Sequence, residues 1–177
     1  GAEKVLQIDT ASLYNNSDNN VYLNSNWFLN SSGQNVYIES DFATSFAQVA
    51  GNHIWYGAAS GTAGNTATLS ERMRLDTSGN VGIGTASPSE KLTIQSGNIN
   101  FMGGTNDAQY IKFGDTGDDD IGNILYYHGN NNMVFTTNAS EAMRIDSSGN
   151  VGIGTSSPAR ELHIHDPSSD NVYLMLS

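Results

Sequence analysis

Apolar and polar residues alternate in short runs along this chain. In residues 73–76 (MRLD) every second position is apolar, and residues 81–85 (VGIGT) alternate again, with glycine at the intervening positions. A period of two is typical of half-buried β-strands. Residues 77–80 (TSGN) lie between the two runs and favour a turn, because Gly79 and Asn80 are able to take positive φ. The pattern predicts a β-hairpin.

The glycines of this hairpin need a physical reason, because glycine weakens a strand interior. The usual reason is the close approach of another backbone, which we expect at Gly82 and Gly84. Pro88 cannot donate to a strand ladder and ends the pairing, and residues 92–94 (LTI) form the next predicted strand. A lone hairpin cannot bury its apolar face. We therefore predict that a neighbouring strand or a neighbouring chain covers the apolar face of this hairpin.

One segment fits two patterns. Phe42, Phe46 and Val49 recur at helical spacing, with Asp41 at the N-cap position and Gly51 as a stop. Alternate residues from Phe42 to Phe46 also fit a strand. We favour the strand, because the flanking sequence is rich in turn-formers and period-two runs.

A stretch of the chain occurs twice. Residues 70–94 and 140–164 are identical at 17 of 25 positions. Upstream, residues 51–57 (GNHIWYG) resemble residues 122–129 (GNILYYHG), and residues 3–9 (EKVLQID) resemble the end of each copy. Further copies are predicted as tyrosine-bearing strands in NNVYLNS from residue 19, NVYIES from residue 35, AQYIKFG from residue 108 and DNVYLML from residue 170.

These similarities divide the chain into predicted repeat units. Residues 1–8 are expected to end one unit, residues 9–94 and 95–164 to form two units, and residues 165–177 to begin a further unit. Units in a repeat array bury their apolar faces against their neighbours. Because the pattern runs to both ends of the sequence, we expect the chain to be a fragment or a processed product.

Composition and charge remove several classes of function. Asn, Ser and Gly make up about a third of the chain, which favours short strands and tight turns. The net charge is −11, and the 7 basic residues are scattered, which argues against nucleic acid and anionic membranes as partners. The absence of cysteine excludes disulfides and thiolate metal sites. No apolar run is long enough for a membrane span, so we expect no membrane insertion.

The sequence MRIDSSGNVGIGTSSPARELHI, from residue 143, resembles the repeat of tailed-bacteriophage tail fibres, tailspike stalks and neck appendages. In that family the repeat often precedes an intramolecular chaperone domain, which this chain lacks. The resemblance is strong over residues 70–94 and 140–164 and weaker between them. It implies an all-β, elongated, intertwined parallel homotrimer built from short strands and hairpins.

The same resemblance implies a function. It points to a structural fibre segment of a virion tail or appendage, located on the virion and extracellular. Its expected partners are sister chains, other virion tail or appendage proteins, and a host surface glycan or protein receptor. The alternative is a cellular surface adhesin or extracellular filament subunit built from the same repeat. A polysaccharide depolymerase is a more remote alternative.

Two clusters could hold a metal. His163 and His165 lie on one face of a strand, and His-x-His motifs from three chains coordinate an axial metal in some phage fibres. The earlier copy has Thr93 and Gln95 at these positions, so a solvated face is favoured, with Leu162 and Ile164 inward. Residues 115–120 (DTGDDD) lack the ligand spacing of an EF-hand and are interpreted as an acidic turn rather than a calcium site.

Aromatic residues offer a hint of recognition, because exposed rings can stack on sugars. These aromatic residues occur in adjacent pairs, and strand alternation favours core packing for one residue of each pair. For catalysis, nothing in the sequence pairs the carboxylates of Glu39, Asp41, Asp118 and Asp120. We predict a protein that is not an enzyme, with no catalytic, cofactor or metal residues. The aromatic candidates are Trp27, Phe28, Trp55, Tyr56, Tyr126 and Tyr127.

Overall fold

The computed structural model describes residues 4–15 and 20–166. These residues form sixteen β-strands and no helix, so the predicted all-β class is confirmed. No helix in the described ranges is therefore long and apolar enough to cross a membrane. The strands are β1 (Lys4–Ile8), β2 (Ala11–Asn15), β3 (Val21–Ser25), β4 (Trp27–Leu29), β5 (Asn35–Tyr37), β6 (Ala43–Val49), β7 (Asn52–Ala58), β8 (Ser70–Leu75), β9 (Val81–Ile83), β10 (Leu92–Ile94), β11 (Ala108–Phe113), β12 (Gly122–Tyr127), β13 (Asn132–Thr137), β14 (Ser140–Ile145), β15 (Val151–Ile153) and β16 (Leu162–Ile164).

The strands form three open sheets. The first has eight strands in the order β1-β2-β3-β6-β7-β8-β9-β10, the second has six in the order β11-β12-β13-β14-β15-β16, and β4 pairs with β5. All neighbours are antiparallel except the last pair of each large sheet, which is parallel. The chain divides into two compact units, unit 1 (Gly1–Ile99) and unit 2 (Asn100–Ser177). The finer repeat limits stay a prediction, and most of residues 165–177 lie outside the described part.

The predicted hairpin is present in both units. Met73 pairs with Ile83 across β8 and β9, and the turn places Gly79 at φ 74°. Asn80 is not in the positive-φ region, and its backbone N–H bonds to the Asp76 carboxylate. Asp76 Oδ1 accepts hydrogen bonds from the backbone N–H of Ser78 and of Asn80, both at 2.8 Å. Asp146 makes the same pair of bonds in the second copy, both at 2.9 Å.

The strand glycines are explained within the chain. A Cβ on Gly82 would lie 2.6 Å from the Thr85 carbonyl oxygen, where the chain leaves β9. Gly84 has φ 73°, and a Cβ there would lie 2.7 Å from the Gln95 carbonyl oxygen at the end of β10. The expected close approach is thus confirmed. The backbones that approach are the chain's own, at the turn after β9 and at the end of the parallel strand β10.

A β-bulge recurs in the strand before each hairpin turn. Tyr56 pairs with Glu71 and Trp55 with Met73, so one extra residue, Arg72, lies between the paired positions of β8. Residues three apart on a regular strand point to opposite faces, but the bulge brings Glu71 and Arg74 to one face. Their guanidinium and carboxylate groups form a bidentate pair with both distances 2.7 Å. The second copy repeats it between Arg144 and Glu141, at 2.6 and 2.5 Å.

The registers also relate the earlier strands of the two sheets. Strands β3, β6, β7 and β8 pair in the same order and phase as β11, β12, β13 and β14. Tyr22 and Tyr110 occupy equivalent positions, as predicted. The predicted correspondence of residues 51–57 with residues 122–129 is wrong, because the pairing registers make β7 equivalent to β13 and not to β12. Unit 1 inserts residues 59–69 before β8, whereas only Asn138 and Ala139 connect β13 to β14.

Two further expectations are settled by the strands. The ambiguous segment forms β6, which confirms the strand over the helix. NVYIES is not a further copy, because Asn35–Tyr37 forms β5, which pairs with β4 and bridges to Thr66 outside the large sheet. This small sheet supplies the two aromatic rings of the core of unit 1, which pack on alanines of β6, β7 and the loop after β7. The core residues are Trp27, Tyr37, Ala43, Ala58 and Ala67.

Candidate interaction surfaces

One face of the eight-stranded sheet carries a continuous row of apolar side chains, which we call the apolar face of unit 1. Residues that pair directly across strands project to the same face. The pairing therefore places one apolar residue from every strand between β2 and β10 in a single line. Leu23 is 56% exposed and Ile83 is 41% exposed. The row consists of Leu13, Leu23, Phe46, Trp55, Met73, Ile83 and Ile94.

Unit 2 presents the equivalent surface, the apolar face of unit 2. Besides the apolar row that matches the row of unit 1, this face has a second, parallel row that includes Leu162, which is 57% exposed. Ile153 is 40% exposed, close to the value for its equivalent Ile83. Each sheet therefore leaves a wide apolar area open to solvent. The first row consists of Ile111, Ile124, Phe135, Met143, Ile153 and Ile164.

The opposite face of unit 1 is covered by the small β4–β5 sheet. Trp27 Nε1 donates to the Thr44 carbonyl oxygen at 3.1 Å, and the Tyr37 hydroxyl donates to the Ala59 carbonyl oxygen at 2.5 Å. At the entry to β4, Asn26 takes φ 60°, and its amide bonds to the backbone of Glu39 and Phe42. These bonds satisfy buried polar groups and lock the small sheet onto β6 and the loop that follows β7.

A cleft of about 340 Å³ lies between the small sheet and the opposite face of unit 1. Tyr22 and Tyr56 lie on strands that flank β6, which contributes the small residue Ser45 to the cleft. Burial, followed by the nearby charge of Glu71, raises the pKa of the Tyr56 hydroxyl. The remaining lining comes from the inserted segments, through Trp27, Leu29, Asn35 and Leu69.

Unit 2 has no such cover over its opposite face in the described residues. Tyr110 is exposed there, with the Lys112 ammonium 5.7 Å from its ring centre. Lys112 also lies 3.7 Å from the Asp120 carboxylate. Leu125 stands where unit 1 has Ala47, so a larger side chain occupies this position of the central strand.

The histidine pair lies on β16 and just beyond it. The ring centres of His163 and His165 are 6.2 Å apart. His163 Nδ1 accepts a hydrogen bond from the Ala159 backbone N–H at 3.3 Å, much as Thr93 Oγ1 accepts one from Glu90 in the first copy. His163 and Ile164 are half-buried in the chain, whereas Leu162 and His165 are exposed, so Ile164 and His165 follow the expected inward and outward sets and the other two do not. The His163 imidazole therefore supports a turn.

The acidic segment forms a tight exposed turn after β11. Asp115 Oδ1 accepts from the backbone N–H of Gly117 at 2.7 Å and of Asp118 at 3.1 Å, and the first of these is the main reason that the pKa of Asp115 is lowered. One carboxylate oxygen from each of Asp118, Asp119 and Asp120 lies within 4.8 Å of the others. The carboxylates of Asp115 and Asp118 are engaged by backbone donors of the turn itself.

The aromatic candidates separate by strand alternation. Trp27 is buried, whereas Phe28, its neighbour on β4, is 40% exposed. Trp55 lies on the apolar face of unit 1, 5.1 Å from the Phe46 ring, and Tyr56 points into the cleft. Tyr126 packs edge-on to His128 at 4.9 Å. Sequence reasoning missed Tyr22 as a cleft residue, although the small residues of β6 between two tyrosine-bearing strands were the available signal.

Comparison with known proteins supplies no relative for this arrangement: no family model matches the chain, and no curated protein matches it.

Proposed function

We propose that this chain is a structural segment of a homotrimeric fibre, in which the apolar faces of both units pack against sister chains. The observation that carries the proposal is the matching apolar row on each of the two large sheets, whose side chains are exposed or half-buried in the single chain. Contiguous apolar surface of this extent on a soluble protein marks an interaction site. A sheet with one apolar face needs a second layer to cover it.

Identical partners are the simplest source of that layer. Apolar residues recur at the same register positions in both units, and Met73, Ile83 and Ile94 have the same residue types as their equivalents, so one kind of partner surface can cover both. Burying an exposed Ile or Leu side chain contributes about 1.5–3 kcal/mol, and each chain offers Ile83, Leu92, Ile153 and Leu162 for this purpose. The edge strands β10 and β16 would also be protected from uncontrolled pairing within such an assembly.

The biological setting is part of the proposal and is supported by the resemblance of the repeated hairpin to tail-fibre repeats. We place the fibre in a virion tail or appendage, where it supports attachment to a host surface receptor and contacts other virion proteins. Its mechanism is mechanical: a stiff shaft displays receptor contacts in three copies, and the linked copies raise the avidity of weak binding. The proposal involves no catalytic step.

Light scattering coupled to size-exclusion chromatography tests the assembly directly. We expect the chain to elute with three times its mass of 18.9 kDa. The double variant Ile83→Lys/Ile153→Lys places six charges per trimer in the shared surface and should yield monomers that keep their β-sheet circular dichroism spectrum.

The matched control is Phe28→Lys, because Phe28 is 40% exposed, like Ile83 and Ile153, but lies on the small sheet. This variant should remain trimeric. A monomeric parent chain, or equal dissociation by the control, would overturn the proposed packing.

A further inference from the structure

We propose that the cleft beneath the β4–β5 sheet binds an uncharged pyranose ring of a surface glycan. This inference deepens the proposed function by locating a receptor contact, and only its biological role rests on that function.

The cleft follows from a simple arrangement of side-chain sizes. Tyr22 and Tyr56 stand on the two strands next to β6, while β6 itself contributes Ser45 and Ala47, which are almost fully buried. Two large rings on either side of small residues leave a trough along the sheet. The inserted segments close it with Trp27, whose indole is fixed by its hydrogen bond to the Thr44 carbonyl. The result is a half-open cleft of about 340 Å³.

The chemistry of the lining suits a sugar. A pyranose has apolar C–H faces and a rim of hydroxyls, so it needs ring faces together with hydrogen-bonding groups. Tyr22 and Tyr56 supply both. Within the described part of the chain, neither the Tyr56 hydroxyl nor the Asn35 side-chain amide has a hydrogen-bond partner, so both are available to a ligand. Buried pockets with a few placed polar groups are typical of small-molecule sites.

The local charge favours a neutral ligand. Among the described residues that line the cleft, none is charged. The nearest ion pair, between Glu71 and Arg74, is closed on itself through two hydrogen bonds of 2.7 Å. A carboxylated or sulfated sugar would therefore find no free cation, whereas hydroxyls would find amide and phenol groups.

Unit 2 supplies an internal contrast. The registers place Tyr110 at the position of Tyr22, but Thr136 at the position of Tyr56 and Leu125 at the position of Ala47. No inserted small sheet is described there. Unit 2 has the same strand framework without the second ring, the small floor or the roof. Insertions in repeated structures commonly carry the binding surface.

Saturation-transfer NMR of the whole chain tests the inference, with D-glucose, D-galactose and N-acetyl-D-glucosamine as the probes, each at about 10 mM, because single-sugar affinities of this kind lie near the millimolar range. We expect saturation of the ring protons of at least one sugar. Tyr56→Thr, which installs the residue of unit 2, and Asn35→Leu, which removes the amide at similar size, should each weaken that binding at least tenfold. Two-dimensional amide spectra confirm that both variants are folded.

Tyr110→Ala is the matched control and should leave sugar binding unchanged. The inference is overturned if none of the three sugars is saturated, if neither cleft variant weakens binding, or if the control weakens it equally. Mass measurements on the same samples separate the two proposals. A parent chain that is trimeric but binds none of the sugars rejects only the cleft, whereas a parent chain that is monomeric but binds sugar rejects only the fibre.

Discussion

Both units contain an antiparallel hairpin followed by a parallel strand, and the two copies agree in their turn hydrogen bonds, bulge and ion pair. They differ in what precedes that hairpin. Unit 1 inserts the β4–β5 sheet and the loop after β7, which cover one face of its large sheet. Unit 2 joins β13 to β14 through two residues and has no corresponding cover in its described part.

The difference shows how the insertions act. In unit 1 the inserted Trp27 and Tyr37 find alanines on β6 and β7, and a two-layered core results. In unit 2 the equivalent face carries Leu125, the buried Val134 and the exposed Tyr110, and no second sheet is present among the described residues. The repeated hairpin therefore sets the register of each sheet, while the inserted segments decide whether a sheet gains a private core and a cleft.

Removing the anchor of the inserted layer should have the largest effect. Trp27→Ala deletes a buried ring and should cost unit 1 about 3–5 kcal/mol, because the cavity cannot be refilled by the surrounding alanines. Hydrogen exchange resolved by segment should show faster exchange in β6 and β7 and unchanged exchange in β13 and β14. Phe28→Ala, at an exposed position of the same strand, should change little. Equal destabilisation of both units would contradict the division of roles.

Replacing the strand glycine of either hairpin by alanine should lower the free energy of unfolding by a smaller amount, equal in the two units. Gly82→Ala and Gly152→Ala would each place a Cβ 2.6 or 2.5 Å from a backbone carbonyl, and should cost about 1–3 kcal/mol in their own unit. Denaturant unfolding followed by segment-resolved exchange measures both. Gly57→Ala is the control, because its nearest neighbour is the flexible side chain of Arg72 at 3.4 Å. A loss confined to one of the two hairpins would show that the copies are not equivalent.

The smallest expected effect is the pH dependence of stability that comes from the turn carboxylates Asp76 and Asp146. The backbone N–H of Asn80 is the main cause of the lowered pKa of Asp76, and that of Asn150 has the same role for Asp146. A carboxyl whose pKa is lowered by folding contributes stability above its unfolded pKa, and the contribution is lost as the pH falls through its folded pKa. Asp76→Asn and Asp146→Asn should therefore lower the melting temperature at pH 7 by similar amounts.

These differences from the parent chain should shrink below the ordinary carboxyl value of 3.8. Melting curves at pH 7, 5, 3 and 2 provide the measurement. A difference that persists unchanged at pH 2 would mean that the carboxylate charge does not hold the turn.

Local chemistry was sufficient to predict the all-β class, the hairpin and its turn, and the strand at β6. Period-two patterning and turn-forming residues act between near neighbours, so the sequence alone specifies them. The burial of Trp27 and the exposure of its neighbour Phe28 also follow from the period of two.

Contacts between distant segments were decided only by the tertiary structure. The parallel pairing of β9 with β10 revealed which backbone restricts Gly84, and the register of β7 with β8 corrected the assumed correspondence with unit 2. The cleft was equally hidden, since Tyr22, Ser45 and Tyr56 lie on three strands and meet only through pairing. A strand pattern specifies which face a residue takes, but the free energy of register and of layer packing comes from partners that the local sequence does not name.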